Sequence, residues 1–396
     1  MTVRGANLAT LRGMNARSVL DALLAERTLS RAEIARRTGM SKPTANHAIE
    51  TLLDAGLVRE APRPDGELHY GALFFEPVLD LGQVLAVDIG SDCVRGALAD
   101  LGGTVLARYD HPRSGQDVGT LLSAVSEVRE RLARQVPDSR EGTVEGTVGT
   151  EVAVAGIIDP VTQELLVSNE PELEGHPLVH GLRTVLPGPV HIDNDVNLAA
   201  LGELWRGAGR ECEDFAFLFV GSGAGAGLVL DGKLRRGHHG AAGEVDYPAQ
   251  RAFAAGSPAA DSLQQLIDTR FAGDAARRGS AEATPPPTTE QLFAEVKGGR
   301  ALGLIREEAR RIAATIARIS LVVDVPLIVL GGGIGLNGDV LLDPVRSRLE
   351  RLVPFPPRVQ ISQLGHAATL MGAVTVAARA AWPRLVSARL EATGTP

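Results

Sequence analysis

One arrangement of strands and glycine turns occurs twice in the chain, about 130 residues apart. The first copy, 84–107, is an apolar strand that ends in a tight turn and is followed by two further strands. The second copy, 215–232, has an apolar strand, a glycine turn, a second strand and an Asp-Gly hairpin signal. This duplication predicts an α/β protein with two similar lobes and a ligand cleft between them.

The glycine turns allow a ligand to approach the backbone closely and offer N–H donors to phosphate. The turn 221–227 leads into a strand, so it is neither a Walker loop nor a dinucleotide turn, which both need a helix N-terminus. A third cluster, 331–338, has the glycine spacing of a dinucleotide fingerprint. The strand that follows it, 359–364, lacks the acidic residue that such a site requires. We therefore expect no dinucleotide and no other cofactor.

Two stretches have the composition of irregular structure. Residues 251–300 are rich in Ala, Gly, Ser and Pro and predict a loose insertion. The run 138–151 contains Glu-Gly-Thr-Val twice and predicts an exposed loop. Neither stretch supplies a candidate site residue.

Residues 15–60 predict short helices with clear start and stop signals. Ser30 and Glu33 have the spacing of a capping box, and the helix that they begin ends at Gly39. Ser41 caps the next helix. Two such helices joined by a turn with glycine form a helix-turn-helix, whose second helix enters the major groove of DNA.

The segment 61–76 follows this motif. Its Asp65-Gly66 pair and alternating apolar residues predict a hairpin, which would be the wing of a winged helix. The candidate DNA contacts lie at the starts of the two helices of this motif and on the wing. They are Arg31, Ser41, Lys42, Thr44, Asn46, His47 and Arg63. Lys42 contacts either a base or a phosphate, and the sequence leaves both possibilities open.

The charge distribution supports a separate DNA-binding part. Residues 1–60 contain nine Lys or Arg and six Asp or Glu, whereas the other 336 residues contain 31 and 42. A basic head on an acidic body indicates that only the head meets nucleic acid.

A polar cluster, 191–197, follows an apolar strand end and precedes a helix. A carboxylate there, beside a glycine turn, is either a general base for phosphoryl transfer or a hydrogen-bond acceptor for a ligand hydroxyl. Capping of the helix by Asn194 or Asp195 is the structural alternative.

Together these segments resemble the ROK family of repressors, open reading frames and kinases, over nearly the whole chain. Besides the head, five motifs in order carry the resemblance: 88–90, 194–203, 221–227, 240–244 and 331–333. The resemblance implies an actin-like, two-lobed sugar-kinase body. With a winged-helix head it implies a repressor that responds to a sugar or amino sugar, and without one a sugar kinase.

The resemblance also assigns roles by motif. Asp195 matches the catalytic base of the kinases, and Asn194 and Glu244 match contacts to sugar hydroxyls. Asn169 matches a further sugar contact. Tyr247 takes the place of a family histidine that serves both the sugar and a zinc ion.

Two departures from the family pattern argue against kinase activity and against zinc. Ser91 and Asp92 replace the Gly-Thr of the first phosphate turn. Asp92 would repel a phosphate about 4 Å away by roughly 1–4 kcal/mol. Residues 248–300 contain no cysteine, and a structural zinc site needs four N or S ligands. We expect no metal, and Asp195 becomes a vestigial base.

The sequence thus predicts a winged-helix DNA-binding domain at 1–80, a first actin-like lobe at 81–193 joined by the helix 366–396, and a second lobe at 194–365. The predicted function is transcriptional regulation, as a repressor, by a homodimer or homotetramer that reads a pseudo-palindromic operator. The alternatives are an active sugar kinase with a DNA-binding head and a regulator controlled by a partner protein.

The sequence also predicts a cytoplasmic location. Cys93 and Cys212 cannot build a disulfide framework. No apolar run reaches the roughly 18–20 residues that span a bilayer, and the N-terminus lacks the apolar region of a signal peptide.

Overall fold

The computed structural model describes residues 8–62, 72–115, 117–136, 147–168, 170–173, 178–246, 256–278, 285–294 and 299–392. They form an N-terminal head and two lobes, each lobe built on a five-stranded sheet. None of the described helices combines the length and the apolar character that crossing a membrane requires.

The head is a winged helix-turn-helix. Its elements are α1 (Leu8–Glu26), β1 (Leu29–Ser30), α2 (Arg31–Thr38), α3 (Lys42–Asp54), β2 (Val58–Ala61) and β3 (Phe74–Pro77). The three strands pair antiparallel in the order β1-β3-β2. The tip between β2 and β3, which contains Arg63 and the predicted Asp65-Gly66 turn, lies outside the described residues.

Local capping fixes the helix boundaries in the head. The Ser30 hydroxyl accepts from the Glu33 N–H while the Glu33 carboxylate accepts from the Ser30 N–H, so the predicted capping box is confirmed. Gly39 ends α2 in the left-handed conformation, with φ 66°. Ser41 caps α3 by accepting from the Thr44 N–H.

The first lobe follows the head directly. Its elements are β4 (Gln83–Ile89), β5 (Cys93–Asp100), β6 (Val105–Pro112), α4 (Val118–Gln135), β7 (Thr147–Val154), β8 (Ile157–Ile158), β9 (Leu165–Val167), α5 (Leu178–Val185), β10 (Val190–Asn194) and the following α6 (Asp195–Arg206). The sheet order is β10-β7-β4-β5-β6; β5 is antiparallel to its neighbours, and β4, β7 and β10 run parallel.

The second lobe repeats that order. Its elements are β11 (Phe215–Val220), β12 (Ala224–Leu230), β13 (Lys233–Leu234), α7 (Ala260–Arg278), α8 (Thr289–Ala294), α9 (Gly299–Val323), β14 (Leu327–Gly331), α10 (Gly332–Gly335), α11 (Gly338–Leu349), β15 (Arg358–Ile361) and the following α12 (Ala368–Ala392). The sheet order β13-β12-β11-β14-β15 has the same sequence of turns and crossovers as the first sheet. The predicted duplicated α/β architecture is therefore confirmed.

The last helix of each lobe packs on the other lobe. α6 follows the first sheet but lies against β11 and β12, whereas α12 follows the second sheet but lies against β4, β5 and β7. The two helices cross at glycines: a Cβ on Gly202 would lie 2.5 Å from the Ala368 carbonyl oxygen, and one on Gly372 would overlap the Leu198 carbonyl. Backbone-to-backbone packing therefore joins the lobes at this crossing.

The head is joined to the first lobe by a continuous apolar core. Leu20 and Leu23 of α1 belong to the same buried cluster as Ala373 and Trp382 of α12. The Trp382 indole N–H also donates to the Leu101 carbonyl, 3.1 Å away, in the turn between β5 and β6.

Two expectations about irregular structure were wrong. The stretch 251–300 contains α7, α8 and the start of α9, and Leu263, Ile267 and Leu292 are buried in the second lobe. Leu263 and Ile267 lie four residues apart, the spacing of one helix face, which the surrounding small residues obscured. Residues 247–255, 279–284 and 295–298 lie outside the described part.

The expected loop 138–151 was wrong at its end. Residues from Thr147 onward form β7, which lies between β4 and β10 in the first sheet. Two of its buried polar side chains have specific partners, which helps a polar segment to form an inner strand. The Thr150 hydroxyl donates to the Pro187 carbonyl at 2.7 Å, and Glu151 pairs with His191 Nδ1 at 2.7 Å.

Candidate functional site

The first half of α3 presents polar side chains on the surface of the head. Ser41, Lys42 and His47 are exposed, whereas Ala45, Ala48 and Ile49 on the opposite side are buried. This helix face is free to enter a groove because the core needs only the other face.

The other predicted DNA contacts in the head are partly engaged with each other. Arg31 Nη1 donates to Asn46 Oδ1 at 3.3 Å, and the Arg31 guanidinium lies 5.0 Å from the centre of the Phe75 ring. The Thr44 hydroxyl bonds to the Ser41 hydroxyl at 2.8 Å. Arg31 therefore holds the Asn46 amide in place beside the exposed face of α3. The structure thus brings together six of the seven predicted contacts, and Arg63 lies outside the described residues.

Three carboxyl groups, contributed by both lobes, are close enough to interact electrostatically. Asp88 lies near the end of β4, Asp195 begins α6, and Glu244 lies in the segment after β13. Burial, then Asp88 and then Glu244 raise the pKa of Asp195 to about 7. Burial also raises the pKa of Glu244, with a further contribution from Asp246. Asp195 and Glu244, predicted from separate motifs, therefore lie in one electrostatic cluster.

The residues next to Asp195 hold the cleft together. The Asn194 side chain caps α6 by accepting from the Asn197 N–H at 2.9 Å and donates to the Gly156 carbonyl at 2.9 Å. Arg236 of the second lobe pairs with Asp193 of the first, with Nε–Oδ2 at 3.0 Å. The capping alternative is thus observed for Asn194, while Asp195 accepts from its neighbour's N–H at 2.8 Å.

The segment that carries Glu244 is fixed by glycine. Gly243 has φ 93°, and a Cβ there would overlap the Ala226 carbonyl of β12. The Ala226 N–H in turn donates to the Gly243 carbonyl at 2.8 Å. Asn169 and Tyr247, the two other predicted effector contacts, lie outside the described residues.

The sequence reasoning missed a cluster of arginines at the first glycine turn. Arg95 Nη1 lies 3.0 Å from Asp88 Oδ2, so a guanidinium forms an ion pair with the carboxylate of β4. The buried Arg113 pairs with Glu170 through two bonds and donates to the Gly90 carbonyl at 3.3 Å. Asp88 and Arg95 are directly opposite in the β4–β5 hairpin, which is a signal that register analysis could have used.

Two glycines of the second turn have a packing role. β12 begins at Ala224, so Gly225 and Gly227 lie inside a strand. A Cβ on Gly227 would lie 2.5 Å from the Ala200 Cβ and 2.8 Å from the Val196 carbonyl oxygen. The expectation that the whole run 221–227 is a ligand turn was therefore wrong, because these glycines let α6 approach the sheet.

Within the described ranges, no group of three or more His, Cys, Asp or Glu side chains has an arrangement that could hold a metal ion. Tyr247 and the residues that follow it up to 255 lie outside those ranges. The expected absence of zinc stays a prediction.

We expect Asp195→Asn to stabilise the chain at pH 7 and above. The native pKa of about 7 exceeds the ordinary pKa of 3.8, so the native carboxyl keeps a proton that the unfolded chain releases. Wild-type stability therefore falls as the pH rises from about 4 to about 7, and an asparagine has no such slope. Urea unfolding across this range measures the difference in free energy. A difference that stays constant across the range would contradict the prediction, and Asp343→Asn, at an exposed carboxylate, is the control.

The duplicated sheets, the carboxyl cleft and the head define an actin-like sugar-kinase fold that carries a winged-helix DNA-binding domain. Residues 84–380 match the model of the ROK family, and residues 15–59 match that of a winged helix-turn-helix DNA-binding domain. The chain belongs to the ROK family.

Individual relatives include both regulators and kinases. The xylose repressor of Caldicellulosiruptor bescii is 29% identical over 242 residues, a match that spans 61% of this chain and only 60% of that repressor. The crystal structure of a ROK family transcriptional regulator, a homologue of the E. coli MLC protein, has a TM-score of 0.75 at 18% identity over 96% of this chain and 99% of that one. The structure of a ROK family glucokinase from Streptomyces griseus in complex with glucose and AMPPNP has a TM-score of 0.61 at 24% identity. The match covers 75% of this chain and 100% of the glucokinase. At these identities the two structures establish the likeness of fold.

Proposed function

We propose that the chain is a DNA-binding, sugar-responsive repressor of transcription that acts in the cytoplasm. The observation that carries the proposal is the exposed polar face of α3 on a winged-helix head joined to a ROK body. The likeness to a xylose repressor supports it. In this proposal residues 1–80 bind DNA, and the lobes at 81–365 with the helix 366–396 bind the effector.

The effector is a sugar or amino sugar that binds in the interlobe cleft. Its hydroxyl groups contact Asn169, Asn194, Asp195, Glu244 and Tyr247. A carboxyl group with a pKa of about 7 can donate or accept a hydrogen bond near neutral pH, which suits the hydroxyl of a neutral ligand. The chain acts as a homodimer or homotetramer, and two of its heads bind the two half-sites of a pseudo-palindromic operator.

The first experiment is a gel shift at fixed salt on the gene's own upstream DNA, with and without D-xylose, D-glucose and their amino sugars. Release of the DNA by one sugar supports a ligand-gated repressor. Binding that no sugar changes favours the partner-controlled regulator, and failure to bind the upstream DNA counts against the proposal as a whole.

Variants in α3 separate base contacts from phosphate contacts. We expect His47→Ala or Asn46→Ala to weaken operator binding by about 1–3 kcal/mol while binding to unrelated DNA changes little. We expect Lys42→Ala to weaken binding to all sequences and to reduce the salt slope by about one, as for a phosphate contact. Competition titrations at several salt concentrations measure both effects. Lys233→Ala, an exposed lysine of the second lobe, is the matched control and should bind as wild type does. Sequence preference that survives His47→Ala and Asn46→Ala unchanged would contradict base contacts by these residues.

The second candidate function is an active sugar kinase. The pKa of Asp195 near 7 favours it, because a general base works best when its pKa is near the operating pH. Asp92 beside the phosphate turn argues against it, because its carboxylate would place negative charge near a nucleotide phosphate. An ADP-release assay across the same sugars decides: turnover above the Asp195→Asn background would establish the kinase.

A further inference from the structure

One backbone carbonyl of the body binds side chains from both the head and the body. Arg27, which follows α1 of the head, donates through Nη2 to the Gly102 carbonyl at 2.8 Å. Arg206, the last residue of α6, donates through its own Nη2 to the same carbonyl at 3.0 Å. Two cationic side chains from different parts of the fold therefore share one acceptor.

The acceptor lies on a turn that is itself held firmly. The Asp100 carboxylate accepts from the N–H groups of Gly102 and Thr104, at 2.9 and 2.7 Å. The neighbouring Leu101 bonds through its N–H to the Leu79 carbonyl and through its carbonyl to Trp382 of α12. The turn between β5 and β6 is thus a fixed point against which both arginines are positioned.

The ends of both arginine side chains pack closely against the glycines of this turn. A Cβ on Gly102 would overlap the Arg27 guanidinium, and one on Gly103 would overlap that of Arg206. Burial and the nearby positive charge of Arg27 lower the pKa of Arg206. Movement of either guanidinium therefore changes the environment of the other.

Arg27 also determines how α1 ends. Its backbone is left-handed, φ 70°, which is unfavourable for a residue with a side chain, and its N–H closes the last turn on the Leu23 carbonyl at 2.7 Å. The bond to Gly102 helps to hold this conformation. The last turn of α1, which packs against the rest of the head, is therefore sensitive to that bond.

α6 joins this point to the cleft. Its N-terminus is Asp195, capped by Asn194, and its C-terminus is Arg206, about 18 Å away for a helix of 12 residues. The helix is buried along its middle, and Glu203 fixes its last turn by accepting from the Ala208 and Leu364 N–H groups. Because close-packed interiors are hardly compressible and transmit strain, a displacement of the N-terminus of α6 would reach Arg206.

We propose that α6 transmits the state of the interlobe cleft to the DNA-binding head through Arg206, the Gly102 carbonyl and Arg27. This inference rests on the proposed function and specifies how effector binding is communicated. Arg206 and Arg27 are positioning residues: they touch neither DNA nor effector, and they relate the orientation of α1 to that of α6. A ligand shifts this arrangement only to the extent that it binds the two positions of α6 unequally.

The test is a mutant cycle in the full chain, with hydrogen exchange in the last turn of α1 as the readout. Asn194→Ala disturbs the cleft end of α6, and Asn194→Asp is the milder variant, which keeps the capping oxygen and loses the donor to Gly156. We expect either change to speed exchange of the α1 amides at 23–27 at least threefold. In an Arg206→Gln background the same change should have little further effect, and in the background of the control Arg210→Gln, at an exposed arginine, it should keep its full effect.

Two results would overturn the proposal. In the first, the hydrogen-exchange rate in α1 is the same in both Asn194 variants as in wild type. In the second, an Asn194 variant raises the exchange rate in the Arg206→Gln background as much as it does in wild type, which is what a merely structural role of Arg206 predicts. A second experiment repeats the operator gel shift with D-xylose and D-glucose. If a sugar releases wild-type protein from the operator, the effect should be at least threefold smaller in Arg206→Gln and unchanged in Arg210→Gln. If neither sugar releases wild-type protein, the sugar response of the proposed function fails, whereas the exchange cycle still decides the role of α6.

Discussion

Replacing Gly372 with alanine is expected to lower the free energy of unfolding by about 3 kcal/mol. The added Cβ would overlap the carbonyl oxygen of Leu198, which belongs to the backbone of α6 and cannot rotate away as a side chain would. The clash is relieved only if α12 and α6 separate. That separation would loosen the packing of α12 on the first sheet and of α6 on the second.

The measurement is urea unfolding of the full chain beside a matched control, Gly303→Ala. Gly303 also lies within a helix, α9, but a Cβ there would meet only the end of the Arg270 side chain, at 3.4 Å. Alanine is the better helix former, so Gly303→Ala is expected to stabilise by about 0.5–1 kcal/mol. The two glycine-to-alanine changes thus have opposite expected signs. Similar unfolding midpoints for Gly372→Ala and Gly303→Ala would show that the helix crossing does not require glycine.

The features that sequence analysis predicted correctly are those with local causes. The capping box of Ser30 and Glu33 and the left-handed Gly39 are encoded within a few residues, so the helix-turn-helix could be placed almost to its ends. The duplicated body was predictable for a related reason. Each copy contains its own strand, glycine turn and hairpin, and a repeat is visible without any knowledge of long-range contacts.

The features that were missed depend on contacts between distant parts of the chain. Gly227 reads as part of a ligand turn until the approach of α6 is known. Arg113 and Glu170 are 57 residues apart, and no periodicity relates them. The start of β7, up to residue 151, was assigned to a loop because polar residues such as Glu151 find partners only after folding, here His191.

The candidate site also contains both residues that local motifs predicted and a residue that only the folded structure identifies. Asp195 and Glu244 were recognised by motif, and the structure places them in one electrostatic cluster. Arg95 was not recognised, although it pairs with Asp88, whose charge acts on Asp195. A motif identifies the residues that a family shares, whereas the Asp88–Arg95 pair is visible only in the register of the β4–β5 hairpin.

The second large effect is expected at Glu308, in the middle of α9. Its side chain is 0% exposed, neither carboxylate oxygen has a hydrogen-bond partner among the described residues, and the nearest guanidinium nitrogen of Arg311 is 3.6 Å away. Burial raises the pKa of Glu308 to about 8; Arg311 opposes the rise, and Glu307 and Asp246 add to it. A carboxyl group in this position is therefore protonated in the native state at neutral pH, when the unfolded chain is ionised.

We expect Glu308→Gln to be more stable than wild type by about 3 kcal/mol at pH 7, relative to the difference at about pH 4.5. The sign follows from the raised pKa: wild-type stability falls as the pH rises from 4.5, the ordinary pKa, to about 8, and glutamine does not ionise. Any cost of the amide itself is the same at every pH, so the growth of the difference with pH is the diagnostic quantity. Urea unfolding at several pH values measures it.

The adjacent residue provides the matched control, because its environment is opposite. Hydrogen bonds from Arg310 lower the pKa of Glu307, with Nε–Oε2 at 3.0 Å and Nη2–Oε1 at 2.6 Å. Its stabilising contribution is therefore present above the ordinary pKa and is lost as the pH falls, so Glu307→Gln should destabilise at neutral pH and have less effect in acid. Two glutamates one residue apart on α9 should thus give pH profiles of opposite slope when each is made neutral. Parallel profiles would mean that the buried carboxyl of Glu308 is ionised in the native state and is stabilised by Arg311 after all.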